Sequence, residues 1–234
     1  MRKAVLFVFF ALILTGCYRL SSERANQIKT IGIISRLGPL GIEHAGVTMF
    51  GHDADAMDIG SWGIDKFVVE QITERLKSRY DVRPMTDYDK SPYGTVQLGA
   101  PRLPDFRSFR PADLDAYVIV NPALIQERQG LNLFRRPVLV GGLGLVEMQG
   151  VLQENTYAVH TQFVISVIDG KTGSEIGRNL ANSEGLWKEV DKSWWPQPGA
   201  APPADLQAKL RETIEGMLSR SLPGALQALN LVPQ

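Results

Sequence analysis

The sequence contains a single cysteine, Cys17, and only three histidines, His44, His52 and His160, among 234 residues. One cysteine cannot form an intrachain disulfide, and it excludes a cysteine-based zinc site. An excess of charge of either sign is missing too, with 25 basic and 25 acidic residues. That balance argues against nucleic acid as a partner, because its binders carry clustered basic surface. There is no internal repeat and no Gly-x-Ser-x-Gly elbow. The stretch Gly170-Lys171-Thr172 lacks the partner glycine of a phosphate loop, since Ile165 stands at that position. Val140-Gly141-Gly142-Leu143-Gly144 opens no helix, and glycines inside a strand pattern mark a bulge or a close backbone approach. His44, His52, Asp53, Asp55 and Asp58 form the densest group of potential metal ligands. Their spacing fits no metal loop and reads instead as a polar hairpin tip. No catalytic residue, metal or cofactor is assigned.

The N-terminus is more informative. Arg2 and Lys3 precede an apolar run, Ala4 to Leu14, followed by Thr15, Gly16 and Cys17. Charged, apolar and small residues in that order describe an export signal. As a helix the run would be about 17 Å long against roughly 30 Å of bilayer hydrocarbon, too short for a permanent span. Leu14-Thr15-Gly16-Cys17 resembles the lipobox of bacterial lipoproteins. The resemblance implies a diacylglyceryl thioether on Cys17, cleavage before it, and acylation of the new amine. Several acyl chains anchor a protein stably where one does not. It also implies residues 1–16 as signal peptide and the lipid bilayer as a partner. Tyr18, in place of an aspartate after the lipidated cysteine, implies the inner leaflet of the outer membrane, with the domain facing the periplasm. Losing Arg2 and Lys3 would leave 23 basic against 25 acidic residues, a charge near −2.

Residues 17–27 read as the lipidated cysteine and a short polar tether, and 28–234 as one α/β domain. Ile28 to Arg36, Tyr80 to Met85, Asp115 to Asn121, Val138 to Gln149 and Tyr157 to Asp169 carry short, β-branched strand patterns. Ile42 to Phe50 and Met57 to Ile59 read as a hairpin turning at Gly51-His52-Asp53. Asp169-Gly170-Lys171-Thr172-Gly173 reads as a second turn, leading into Ser174 to Arg178, with glycines suited to positive φ. Ser61 reads as the N-cap of a helix from Trp62 to Arg79, with Ile64, Phe67, Val68, Ile72 and Leu76 on one face. Ala204 to Arg220 reads as a second helix, aligning Leu206, Leu210, Ile214, Met217 and Leu218, broken by Pro223-Gly224 before a short final turn of helix through Leu229. The expected fold is α/β (α+β): a mixed sheet of about five to seven strands, a hairpin insertion and two main amphipathic helices.

Two stretches fit no element. Thr86 to Asp113 is rich in proline and glycine, has a short strand pattern at Thr95 to Leu98, and interleaves Arg102, Arg107 and Arg110 with Phe106 and Phe109. Asn179 to Pro203 reads as irregular and holds Trp187, Trp194 and Trp195. These residues form the candidate partner surface, although the tryptophans equally suit covering an edge of the core.

Ile31 to Ile34, the helix from Trp62, Phe163 to Gly173 and the terminal helix, together with the lipobox, resemble envelope lipoproteins built on a small α/β domain. Examples are the curli-secretion lipoproteins, the penicillin-binding-protein activators and the amino-terminal domain of the Tol–Pal translocation protein. The I-G-I-I-S start and W-G-I-D helix opening are similar to those of a proteobacterial lipoprotein family without an assigned activity. The functional expectation is a non-catalytic binding or assembly component of the cell envelope, with an envelope protein as partner. The alternative is a tethered hydrolase acting on envelope lipid or glycan.

Overall fold

The computed structural model describes residues 19–45, 52–85, 113–123, 141–149, 154–181, 187–196 and 202–233. The lipobox with Cys17, the strand expected at 95–98, and Arg102, Phe106, Arg107, Phe109 and Arg110 lie outside these residues. In chain order the elements are α1 (Ser22–Gln27), β1 (Thr30–Ser35), β2 (Leu40–Ala45), β3 (His52–Met57), α2 (Ile64–Leu76), β4 (Asp81–Pro84) and β5 (Ala116–Pro122). They continue with β6 (Gly142–Met148), β7 (Thr156–Asp169), β8 (Glu175–Leu180), β9 (Trp187–Val190) and α3 (Ala204–Ala228).

The nine strands join through β7, which at 14 residues is twice as long as most of the others. Its first half, up to Gln162, pairs antiparallel with β6 and β9. Its second half, from Phe163, pairs antiparallel with β5 and β8. From there the sheet extends through β5, β1 and β4 on one arm and through β6, β2 and β3 on the other. The pairs β1–β4, β1–β5 and β2–β6 are parallel, so the sheet is mixed as the strand order required. Where β5 ends and β6 begins, both meet β7 at Gln162: Ala123 donates its amide to the Gln162 carbonyl, and Gly142 pairs with it. A Cβ on Gly141 would lie 2.0 Å from the Ala123 carbonyl oxygen, so only glycine fits that junction.

Alternation along the strands divides the apolar residues between two faces. Ile31, Ile33, Val118, Val120, Leu143, Leu145, Val159, Phe163, Ile165 and Val167 enter the main core with α2 and α3. Ile34, Tyr117, Ile119 and Ile168 form a smaller buried cluster on the reverse face, with Leu114. Burial on both faces explains why β1, β5 and β7 read as continuous apolar runs. The expected faces of both helices are buried, except that Phe67 is only half-buried and Val69 joins in its place.

Several boundaries differ from the sequence reading, each for a local reason. Residues 20–27, read as tether, belong to the domain: Leu20 and Ala25 are buried, and Arg24 forms an ion pair with Asp169. Ser61 is not a helix cap; it sits in a 3-10 turn, Gly60–Trp62, and Gly63, at φ 67°, starts α2. There Asp65 accepts from Ser35 Oγ at 2.6 Å and from the Leu37 amide at 2.8 Å, tying the end of β1 to the start of α2. His52 and Asp53, expected in a turn, lie in β3. Four residues of the stretch expected to be irregular, Trp187–Val190, form β9.

Pro223 does not end α3, which continues to Ala228. The ring costs the helix the bond to the Ser219 carbonyl. Burial of Leu222, Ala225 and Leu226 holds the last turns in place. In the second turn only Gly173 has positive φ, at 69°. Gly170 is required for space, since a Cβ there would lie 1.8 Å from the Leu114 carbonyl oxygen.

Candidate functional site

Parallel pairing of β2 with β6 and antiparallel pairing of β6 with β7 place His44, Glu147 and Tyr157 in one cross-strand row. Asp53 of β3 and Val190 of β9 occupy the two ends of that row by register. The row lies on the core face, one step beyond Leu145 and Val159, where the apolar packing gives way to polar side chains.

Glu147 organises the group. Its Oε2 is 2.7 Å from His44 Nδ1, and its Oε1 accepts from the Tyr157 hydroxyl at 2.7 Å and from Asn155 Nδ2 at 2.9 Å. Burial pushes the Glu147 carboxyl up, but the hydrogen bonds from Tyr157, Asn155 and His44 outweigh it and hold the group below the usual carboxylate range. The Tyr157 phenol is pushed up, first by its hydrogen bond to Glu147 and then by burial. With an ionised carboxylate facing it, Nδ1 is the protonated nitrogen of His44. The ring's other nitrogen keeps its capacity for a ligand, and the side chain is 41% exposed.

Trp195 closes one side of the group. Its ring meets His44 edge-on at 4.8 Å and lies 5.7 Å from the Tyr157 ring. Trp194 is half-buried against the main core, with Lys188 Nζ 5.7 Å from its ring centre. Trp187 points to the reverse face and stacks on His160, with centroids 6.1 Å apart and planes 13° apart. His160 is fully buried and covers Gly144, where an added Cβ would lie 1.9 Å from its Nε2. This is the close approach expected of the Gly141-Gly142-Leu143-Gly144 stretch. Trp194 and Trp195 therefore pack against the main core, and Trp187 packs on the small reverse-face cluster of Val146 and Ala158. Trp195 alone among them also borders a polar site.

The candidate residues thus separate. His44 joins a site, but through Glu147, Asn155 and Tyr157, which lie more than a hundred residues away in sequence. His52 and Asp53 stand beside it on β3, while Asp55 and Asp58 are exposed. Among the described residues no three of His, Cys, Asp or Glu gather as a metal site. What remains is a carboxylate-fixed imidazole beside an indole and an amide. Such a group can hydrogen-bond a polar ligand that rests on the aromatic ring, and it can accept a proton.

No family model matches the chain, and no curated protein matches it. Among solved structures, protein XCC0632 of Xanthomonas campestris, from the family DUF330, aligns with a TM-score of 0.36 at 4% identity. The alignment covers 87% of this chain and 85% of that one. The Neisseria meningitidis lipoprotein GNA1162 aligns with a TM-score of 0.32 at 12% identity, over 82% of this chain and 99% of that one. Among the described residues no helix is long and apolar enough to cross a membrane.

Proposed function

We propose that the protein is a lipid-anchored component of the bacterial envelope that acts by binding, held by acylated Cys17 with its domain in the periplasm. The position of the lone cysteine carries this reading: it directly follows Leu14-Thr15-Gly16 at the end of a short apolar run. The binding role rests on the His44–Glu147–Tyr157 row beside Trp195, which offers hydrogen-bonding groups and an aromatic surface. The Arg/Phe stretch at 102–110 is a second proposed contact surface. Tyr18 supports placement in the inner leaflet of the outer membrane.

The anchor is tested by the intact mass of membrane-extracted protein, expected to correspond to a chain starting at Cys17 with acyl groups attached. Cys17→Ser should abolish both the added mass and membrane retention. The binding role is tested by crosslinking in native membranes: one envelope protein should be recovered repeatedly, and less of it with Trp195→Ala. Recovery of none in mild detergent would defeat it.

The 2.7 Å contact of His44 with Glu147 favours one second reading, a tethered hydrolase acting on envelope lipid or glycan with His44 as base. Turnover of an ester or glycoside that disappears in His44→Ala would establish it.

A further inference from the structure

The sequence places the anchor three residues before a fixed point of the fold. Leu20 is 1% exposed, and its carbonyl accepts from Asn230 Nδ2 at 2.5 Å. Only Tyr18 and Arg19 stand between Cys17 and Leu20, and three Cα steps span about 11 Å at most. Whatever surface surrounds Leu20 must therefore lie beside the membrane that holds the lipid.

That surface is a shallow groove of about 630 Å³ between the start of α1 and the C-terminal tail. Arg19, Ser21, Ser22, Arg79, Asn230 and Val232 line it, and among the described residues no carboxylate side chain does. Arg79 is held in place there: it donates to the Asn230 carbonyl at 2.9 Å and to Asn26 Oδ1 at 2.6 Å, and its guanidinium lies 5.2 Å from the Tyr80 ring centre. Arg19 is exposed at the rim. Two cations, two hydroxyls and an apolar edge within reach of an acyl anchor match the chemistry of a phospholipid headgroup.

We infer that this groove rests on the headgroups of the anchoring membrane, with Arg19 against lipid phosphate. The proposal rests on the anchoring reading, and it also sets the orientation of the domain. α2 is about 20 Å long and ends three residues before Arg79, so Ser61, beyond its start, stands about a helix length from the groove. In this orientation Ser22 and Val232 lie near the lipid and Ser61 lies far from it.

The test uses the acylated full chain in phosphatidylethanolamine–phosphatidylglycerol vesicles. Cys17 is consumed by its thioether, so a cysteine introduced as Ser22→Cys, Val232→Cys or Ser61→Cys gives a single labelling site. A lipid carrying a headgroup nitroxide should quench a fluorophore at 22 and at 232 several times more strongly than one at 61. Arg19→Glu should reduce the quenching at 22 and 232 in part, the short link to Cys17 still holding the groove beside the lipid. Equal quenching at the three positions, in protein whose mass shows the acyl groups, would overturn the groove and leave the anchor standing. Unaltered quenching in Arg19→Glu would overturn the phosphate contact. A mass without acyl groups would overturn the anchor and the groove together.

Discussion

The two halves of β7 use the same strand for different ends. From Phe163 to Asp169 it is buried on both faces, between the helix core and the cluster around Tyr117. It closes on Asp169, whose Oδ1 accepts from the Lys171 amide at 3.0 Å and the Thr172 amide at 2.8 Å. Nearby, Asp115 Oδ2 accepts from the Lys29 and Thr30 amides at 2.9 and 3.0 Å. There the carboxylates fasten backbone. From Thr156 to Gln162 the strand carries Tyr157 and His160, and its neighbours bring His44, Glu147 and the tryptophans. There the carboxylate fastens a side chain that still faces water. A polar group thus stabilises the first of these regions by tying the chain down and the second by orienting a neighbour.

The largest expected effect lies in the apolar half. Phe163 is fully buried, so Phe163→Ala should cost about 3–5 kcal/mol in urea unfolding. A loss as small as that of a surface change would mean that the core is not centred on this half. Asp169→Ala should follow, at about 2–3 kcal/mol, because it removes the acceptor for two amides, the Thr172 hydroxyl and Arg24.

This second effect depends on pH. For Asp115, hydrogen bonds led by that of the Lys29 amide outweigh burial and lower the pKa. For Asp169, burial pushes up, but bonds from Thr172, Arg24 and Lys171 prevail. Both carboxyls thus titrate below their unfolded value of about 3.9. On acidification the unfolded chain takes up protons first, so stability is full above that value and falls as pH drops through the folded pKa. Asp115→Asn combined with Asp169→Asn should flatten this acid limb more than Glu147→Gln does, two groups against one. The reverse order would shift the electrostatic weight to the polar row.

The smallest change, Tyr157→Phe, should cost about 1 kcal/mol at neutral pH. That cost should fade in acid as Glu147 becomes protonated and the lost bond no longer matters. A cost independent of pH would show that Tyr157 acts by packing alone.

Residues with local periodicity were legible in the sequence. Ile64, Val68, Ile72 and Leu76 announce α2, and Leu206 to Leu218 announce α3, because a helix buries every third or fourth residue whatever it packs on. The Asp169 turn was legible for the same reason, its bonds reaching only three residues. β9 was not, since two of its four residues are exposed and its pairing with β7 is tertiary. The persistence of α3 past Pro223 depends on burial that the proline rule does not include. Least legible was Glu147: it meets His44 across 103 residues, through a parallel pairing that no local pattern encodes. In the sequence His44 stands out by its acidic neighbours, whereas its partner comes from another strand.

The contact of Asn230 with Leu20 also has a mechanical side. Asn230, at φ 57°, is the only described non-glycine residue with positive φ, and its side chain spans 210 residues to hold Leu20. A force applied at residue 19 enters the fold at this clasp and at the Arg24–Asp169 bridge before it reaches β1. The first contact lies outside the sheet and the second reaches only the final residue of β7, so both could part and close again with β1 still paired to β4 and β5. Drag on the domain would then be met by a replaceable link at its edge, with the nine-stranded sheet shielded behind it.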